Sequence, residues 1–212
     1  MFKHTVSVLI TVSALLGCQT AMTANSSDNN PAPIASNQAM QESVTWFDGK
    51  RERKLWVSEK EFVEFGVSRA TEAREIADHV RASVPAATVA KELGGVRIWR
   101  TDEAKTAVRD LRANRRSANV SPIFHHSKRG GPRMALPGNF MIRFKDGWSE
   151  EQIQAWAEER NLELLKPVLT RSNIYLFKSD PGMAALEVAN EIHRSGEVEY
   201  ATPEWWREVF LK

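Results

Sequence analysis

Asn139-Phe-Met-Ile-Arg-Phe-Lys-Asp-Gly-Trp-Ser-Glu-Glu-Gln-Ile153 decides the fold. Phe140, Ile142 and Phe144 alternate with Met141, Arg143 and Lys145, the period of a half-buried strand, and Asp146-Gly147 stops the run. A helix follows at once. Ser149 is placed as N-cap with Gln152 three residues on, a capping box, and Trp148 can staple against Ile153 across it. Asn161 is a left-handed stop, after which Leu162 to Val168 and Ile174 to Lys178 read as strands joined by the polar turn Arg171-Ser172-Asn173. Asp180-Pro181 has the cap-then-proline order of a helix start. Ala185, Val188, Ala189 and Ile192 form that helix's apolar stripe, Gly196 ends it, and Val198 to Ala201 is the last strand. Residues 139–201 therefore spell β-α-β-β-α-β, an α+β, ferredoxin-like unit with a four-stranded antiparallel sheet and two helices on one face. Two apolar stripes and alternating strands suffice to close one core, so a chain beginning near Ala135 is expected to fold alone.

Upstream, residues 43–126 predict a smaller α+β region. Val44 to Lys50 and Leu55 to Val57 flank Asp48-Gly49 as a hairpin. Phe62 to Gly66 is a short strand, and Thr71 to Ser83 spaces Ala73, Ile76, Ala77 and Val80 as a helix before Pro85. After Gly94-Gly95 come a strand at Val96 to Trp99 and a helix capped by Asp102 with Ala104, Ala107, Val108 and Leu111 inward. Asn119 to Phe124 closes the region as another extended run. The order resembles that of 139–201, and Val120-Ser-Pro122 echoes Ala201-Thr-Pro203. A degenerate repeat and two unrelated units of a common pattern fit equally well at this level. Ser127 to Arg133, rich in Gly and basic residues, opens a connector over 127–138, and 207–212 reads as a tail.

The amino end predicts export. Lys3 and His4 precede an apolar run from Val6 to Leu16, too short to span the ~30 Å core of a bilayer as a helix. Leu15-Leu16-Gly17-Cys18 resembles the bacterial lipobox, so 1–17 is expected to be removed and Cys18, the single Cys, to carry the lipid. An ordinary cleavage site at Ala21-Met22-Thr23-Ala24 is the competing reading. Gln19 after the Cys points to an outer-membrane anchor, and 18–42 is a polar tether of small residues with a coil reach of roughly 25–30 Å.

Composition narrows the chemistry. Among 212 residues, 29 Lys+Arg stand against 27 Asp+Glu, so a basic excess for nucleic acid is missing and no nucleic-acid partner is expected. One Cys closes no disulfide within the chain, and five scattered His give no metal-ligand spacing. His125-His126 are neighbours on a strand, point to opposite faces and share no metal. No cofactor is expected.

Phe140-Met-Ile-Arg-Phe-Lys-Asp-Gly-Trp-Ser-Glu-Glu-Gln-Ile and Val198-Glu-Tyr-Ala-Thr-Pro-Glu-Trp205 together resemble the N-terminal propeptides of subtilisin-like serine proteases over about 139–206. No Gly-Thr-Ser-Met-Ala-like or His-Gly-Thr-like catalytic segment accompanies them, so the expectation is not an enzyme but a propeptide made as a separate protein. The resemblance implies a lipid-anchored inhibitor or folding chaperone of a separately encoded subtilisin-like protease. Glu204 would place a carboxylate at protease helix N-termini, although Thr202 stands where many relatives carry a second acid. Pro203, Trp205 and Trp206 would follow into the protease, and Val209, Phe210, Leu211 and Lys212 would lie product-like in its substrate groove. An envelope adaptor using the same sheet without inhibition is the alternative.

Overall fold

A computed structural model describes residues 42–67, 70–113, 119–169 and 172–209. Cys18, the lipobox and the tether up to residue 41 lie outside the described residues. In chain order the elements are β1 (Ser43–Asp48), β2 (Arg51–Phe65), α1 (Ala70–Ser83), β3 (Thr88–Leu93), β4 (Val96–Arg100), α2 (Ala104–Ala113), β5 (Val120–His125), β6 (Met134–Ala135), β7 (Asn139–Arg143), α3 (Glu150–Glu159), β8 (Leu164–Pro167), β9 (Ile174–Lys178), α4 (Met183–Ser195), β10 (Tyr200–Pro203) and β11 (Trp206–Arg207). The class is α+β, with antiparallel sheets.

In the C-terminal half the sheet order is β10-β7-β9-β8, all antiparallel, so the fourth strand of the unit lies beside the first, then the third, then the second. This is the ferredoxin-like arrangement. The alternation at 140–144 sends Phe140, Ile142 and Phe144 into a core with Tyr175, Phe177, Ile153, Trp156 and Ala189. Trp156 meets Phe144 edge-on at 5.2 Å between ring centres, a favoured aromatic geometry. Ser149 Oγ accepts from the Gln152 backbone N–H, and Gln152 Oε1 accepts from the Ser149 N–H at 2.9 Å, completing the capping box. α4 starts later than Asp180-Pro181 implies. Gly182, at φ 75°, donates its N–H to the Leu136 carbonyl at 2.9 Å and turns the chain, so the helix begins at Met183 with no side-chain cap. A Cβ on Gly182 would stand 3.3 Å from Pro122, in a backbone conformation that L side chains avoid.

The N-terminal half repeats this topology. Within the larger sheet, β5-β2-β4-β3 again runs fourth, first, third, second, all antiparallel. The registers coincide: Phe62 lies between Pro122 and Trp99 as Phe140 lies between Pro203 and Phe177. Even the irregularity recurs, because β3 shifts register between Val89 and Lys91 opposite Trp99 and Ile98, and β8 shifts between Leu164 and Lys166 opposite Phe177 and Leu176. Two unrelated units have no reason to share a bulge at one position. The halves form a structural repeat.

Several boundaries differ from the sequence expectation. β2 is one strand of 15 residues rather than two runs. A register shift between Val57 and Phe62 absorbs the polar stretch, where Ser58 Oγ accepts from the backbone N–H groups of Lys60 and Glu61. β3 went unread because its side chains are exposed and show no alternation. The connector is not merely a loop: Met134–Ala135 pairs with β5, and Trp206–Arg207 returns to pair with Met134–Ala135. The expected boundaries at 138 and 206 therefore cut through a shared sheet, and residues 207 and 208 are not a free tail. A third cluster of Trp46, Leu55, Val57, Phe124, Met134 and Leu136 with Leu186 of α4 joins the halves. The described residues form one compact unit, so the C-terminal half owns a core but leans on the first half.

Candidate protein-docking face

With Phe140, Ile142, Tyr175, Phe177 and Ala201 turned toward α3 and α4, the period of two turns Asn139, Met141, Arg143, Ile174, Leu176, Tyr200 and Thr202 to the opposite face. Across the four strands one row reads Thr202, Met141, Leu176, Lys166. The next reads Tyr200, Arg143, Ile174. Met141 and Ile174 remain partly exposed, whereas Thr202 and Leu176, each 9% exposed, are shielded by their neighbours. The rim is charged. Arg143 Nε donates to Glu199 at 2.7 Å, Lys50 joins that carboxylate at 3.1 Å, and Lys178 pairs with Glu163. The Glu199 carboxyl lies below its ordinary value, first through the Lys50 hydrogen bond and with Arg143 adding to it. Glu204 sits at the end of the sheet, oriented by Asn139, whose Nδ2 donates to Glu204 Oε2 at 2.9 Å.

Beyond Glu204 the chain leaves this sheet for the other one. Trp205 meets Trp46 at 5.2 Å and Phe124 at 5.4 Å, both edge-on, and Trp206 meets Phe65. Pro203 and Thr202 are buried in strand pairing. The Glu208 carboxylate is fully buried and accepts from Lys91 Nζ at 2.7 Å and Arg133 Nη1 at 2.9 Å. Arg133 continues to Glu61 at 2.7 Å, and Glu61 to Arg100 at 2.7 Å. Burial, the largest influence on Glu208, pushes its carboxyl up, but Lys91 and Arg133 outweigh it and hold the group below its ordinary value. Glu61 is likewise held low, chiefly by the Arg133 hydrogen bond, against burial. Residues 205–208 are thus a strap on the first sheet.

The structure separates the residues expected to bind a protease. Thr202 and Glu204 stand on and beside the open face, Trp205 and Trp206 are engaged inside the molecule, and Val209 is 78% exposed. Phe210, Leu211 and Lys212 lie outside the described residues. His125 is buried with Nδ1 3.1 Å from the Gly131 carbonyl, while His126 is exposed. The five-residue network Arg100, Glu61, Arg133, Glu208, Lys91 escaped sequence reading, since its members come from five separate stretches with no local signal.

Residues 125–204 match the family described as the fervidolysin N-terminal prodomain, a subtilisin-like protease propeptide. No curated protein matches, and no solved structure does. The matched stretch holds the whole C-terminal ferredoxin-like unit and stops one residue before the strap.

Proposed function

We propose that the chain is a non-catalytic partner of a separately encoded subtilisin-like protease, an inhibitor or folding chaperone that is lipid-anchored through Cys18 in the bacterial envelope. The observation that carries this reading is the coincidence of the prodomain match with a complete four-stranded unit whose helix-free face is still partly exposed. A rigid antiparallel sheet offers a preformed surface, so little ordering cost opposes docking. Protease helices packed on Met141 and Ile174 would receive the Glu204 carboxylate at an N-terminus, where unpaired backbone N–H groups favour an anion. Val209 to Lys212 would supply the groove-filling segment, shortened relative to the sequence expectation because 205–208 belong to the strap.

The strap also favours a second reading. A tail tied to the first sheet leaves binding to the face alone, as an adaptor would use it. Hydrolysis of a peptide substrate by a subtilisin-like protease encoded beside this chain discriminates the two. Inhibition lost on deleting residues 209–212 supports the groove-filling inhibitor; binding without inhibition by the intact chain supports the adaptor. Absence of any binding sinks both. Release of the protein from membranes by Cys18→Ser tests the anchor.

A further inference from the structure

On the helix side of the second unit, away from the face given to the protease, a groove of about 650 Å³ runs between α3 and β8. One wall is acidic. Glu150, Glu151 and Glu158 of α3 line it, against a single lysine, Lys166, on the facing strand. Among the described residues none of these three carboxylates has a cation within ion-pair distance, and the Glu158 side chain accepts only from the neutral Gln154 amide, at 2.9 Å. The opposite lip is apolar. The register shift in β8 leaves Leu165 out of the pairing and 41% exposed at the edge of the groove.

Tyr175 forms the floor. It is 8% exposed and lines the groove, yet its hydroxyl has no hydrogen-bond partner among the described residues. Burial pushes the phenol above its ordinary value, and the Glu150 charge adds to that. A nearly buried acceptor ringed by unpaired carboxylates favours a cationic donor. At the matching register of the first unit the chain supplies its own cation: Arg97 stands where Tyr175 does, its Nε donating to Glu92 at 2.7 Å and its Nη1 lying 3.3 Å from Glu64.

We propose that this groove binds a segment of a partner protein in which two basic side chains flank a large aliphatic one, in the order basic-x-aliphatic-x-basic. The site is separate from the protease face and does not rest on that reading. Glu150 and Glu158 stand two helical turns apart, about 12 Å along α3. In an extended segment alternate side chains lie about 7 Å apart, so the outer pair of the motif spans about 14 Å and reaches both carboxylates. The middle side chain then meets Leu165. Side chains rather than strand pairing carry the contact, because Pro167 removes a donor from the edge of β8.

The probe is the fluorescein-labelled peptide Gly-Arg-Thr-Leu-Thr-Arg-Gly, titrated into the full-length chain and followed by anisotropy. Saturable binding is expected, weakened about tenfold by Glu158→Lys. Glu158 is exposed in the last turn of its helix, where a cation is favourable, so the reversal leaves folding intact. Binding to that variant should return with one of the two peptides in which a single Arg is replaced by Glu, and the peptide that restores it gives the direction of the segment. Glu187→Lys makes the same change of charge on an exposed site of α4 outside the groove and should leave affinity unchanged. No saturation at millimolar peptide overturns the proposal. Equal affinity for the native and Glu158→Lys chains also does so, as does equal weakening by Glu158→Lys and Glu187→Lys, which would show attraction to net charge alone. Failure of both exchanged peptides to restore binding counts against it in the same way. The titration contains no protease, so its outcome leaves the functional reading untouched.

Discussion

Val63 and Met141 occupy the same place in two copies of one topology, yet the first is fully buried and the second partly exposed. The difference lies in the path the chain takes on leaving each unit. After β5 the chain turns through β6, and β11 later returns to it, so the first sheet is extended and its outer face roofed by Ala135 and Trp206. After β10 it departs at Glu204 and, among the described residues, leaves the second sheet with no such extension. One copy has become scaffold and the other has kept a surface. Aspartate at the two positions separates them most sharply. Val63→Asp buries a carboxylate without a partner and is expected to cost upwards of ~4 kcal/mol, enough to unfold much of the population. Met141→Asp should leave urea unfolding within about 1 kcal/mol of the native chain and reduce binding to a subtilisin-like protease at least tenfold. Equal damage to folding from both changes would mean that the second face is as enclosed as the first.

The strap is the next point of attack. Trp205 fills the seam between Trp46 and Phe124, and Trp205→Ala is expected to destabilise by ~3 kcal/mol, read as a lower urea midpoint. Its ionic end adds a pH dependence. Glu61 and Glu208 are both held below their ordinary values, so the folded chain binds fewer protons than the unfolded one in the acid range. Their contribution is fully present above the ordinary carboxylate range and is lost as pH falls through the lowered folded values. Glu208→Gln should therefore be clearly less stable than the native chain at neutral pH, with the gap closing in acid. Hydrogen exchange at 205–208 follows the same course. A gap independent of pH would show that the network holds the strap by shape rather than charge.

The second unit was legible because each signal was local and agreed with the next. Alternation at 140–144, the Ser149 capping box and Gly196 at φ 70° all sit where the sequence places them. The strap was not legible. Trp205-Trp206 reads equally as a binding tail, because their partners Trp46, Phe124 and Phe65 lie at least 81 residues away in sequence (205 − 124). β3 failed for the opposite reason, having no buried side to impose a period. The repeat itself was visible only as order and as the Ser-Pro and Thr-Pro pairs of 120–122 and 201–203. Its strongest sign, the shared register shift, is a property of pairing and has no trace in one strand's sequence.

The subtlest contrast lies on the helix side of the two sheets. Glu64 pairs with Val120 and Arg97 as Ile142 pairs with Ala201 and Tyr175, so a carboxylate occupies an aliphatic position of the repeat. It is fully buried. Glu64 Oε2 accepts from Trp99 Nε1 at 2.7 Å and faces Arg97 Nη1 at 3.3 Å, while Oε1 has no hydrogen-bond partner among the described residues. Burial pushes its carboxyl above the ordinary value, and the Trp99 and Arg97 contacts only partly offset that. The folded state then holds this proton more tightly than the unfolded one, and stability falls as pH rises from the ordinary carboxylate range through the raised value. Glu64→Gln keeps an acceptor for Trp99 and removes the charge. It is expected to leave the chain as stable as the native form or up to ~1 kcal/mol more stable at neutral pH, with no gain in acid where the native carboxyl is protonated. Paired urea titrations across that range read the difference. A loss of stability at neutral pH would show that the Arg97 ion pair outweighs burial, and that the charge belongs to the scaffold copy as firmly as isoleucine does to the other.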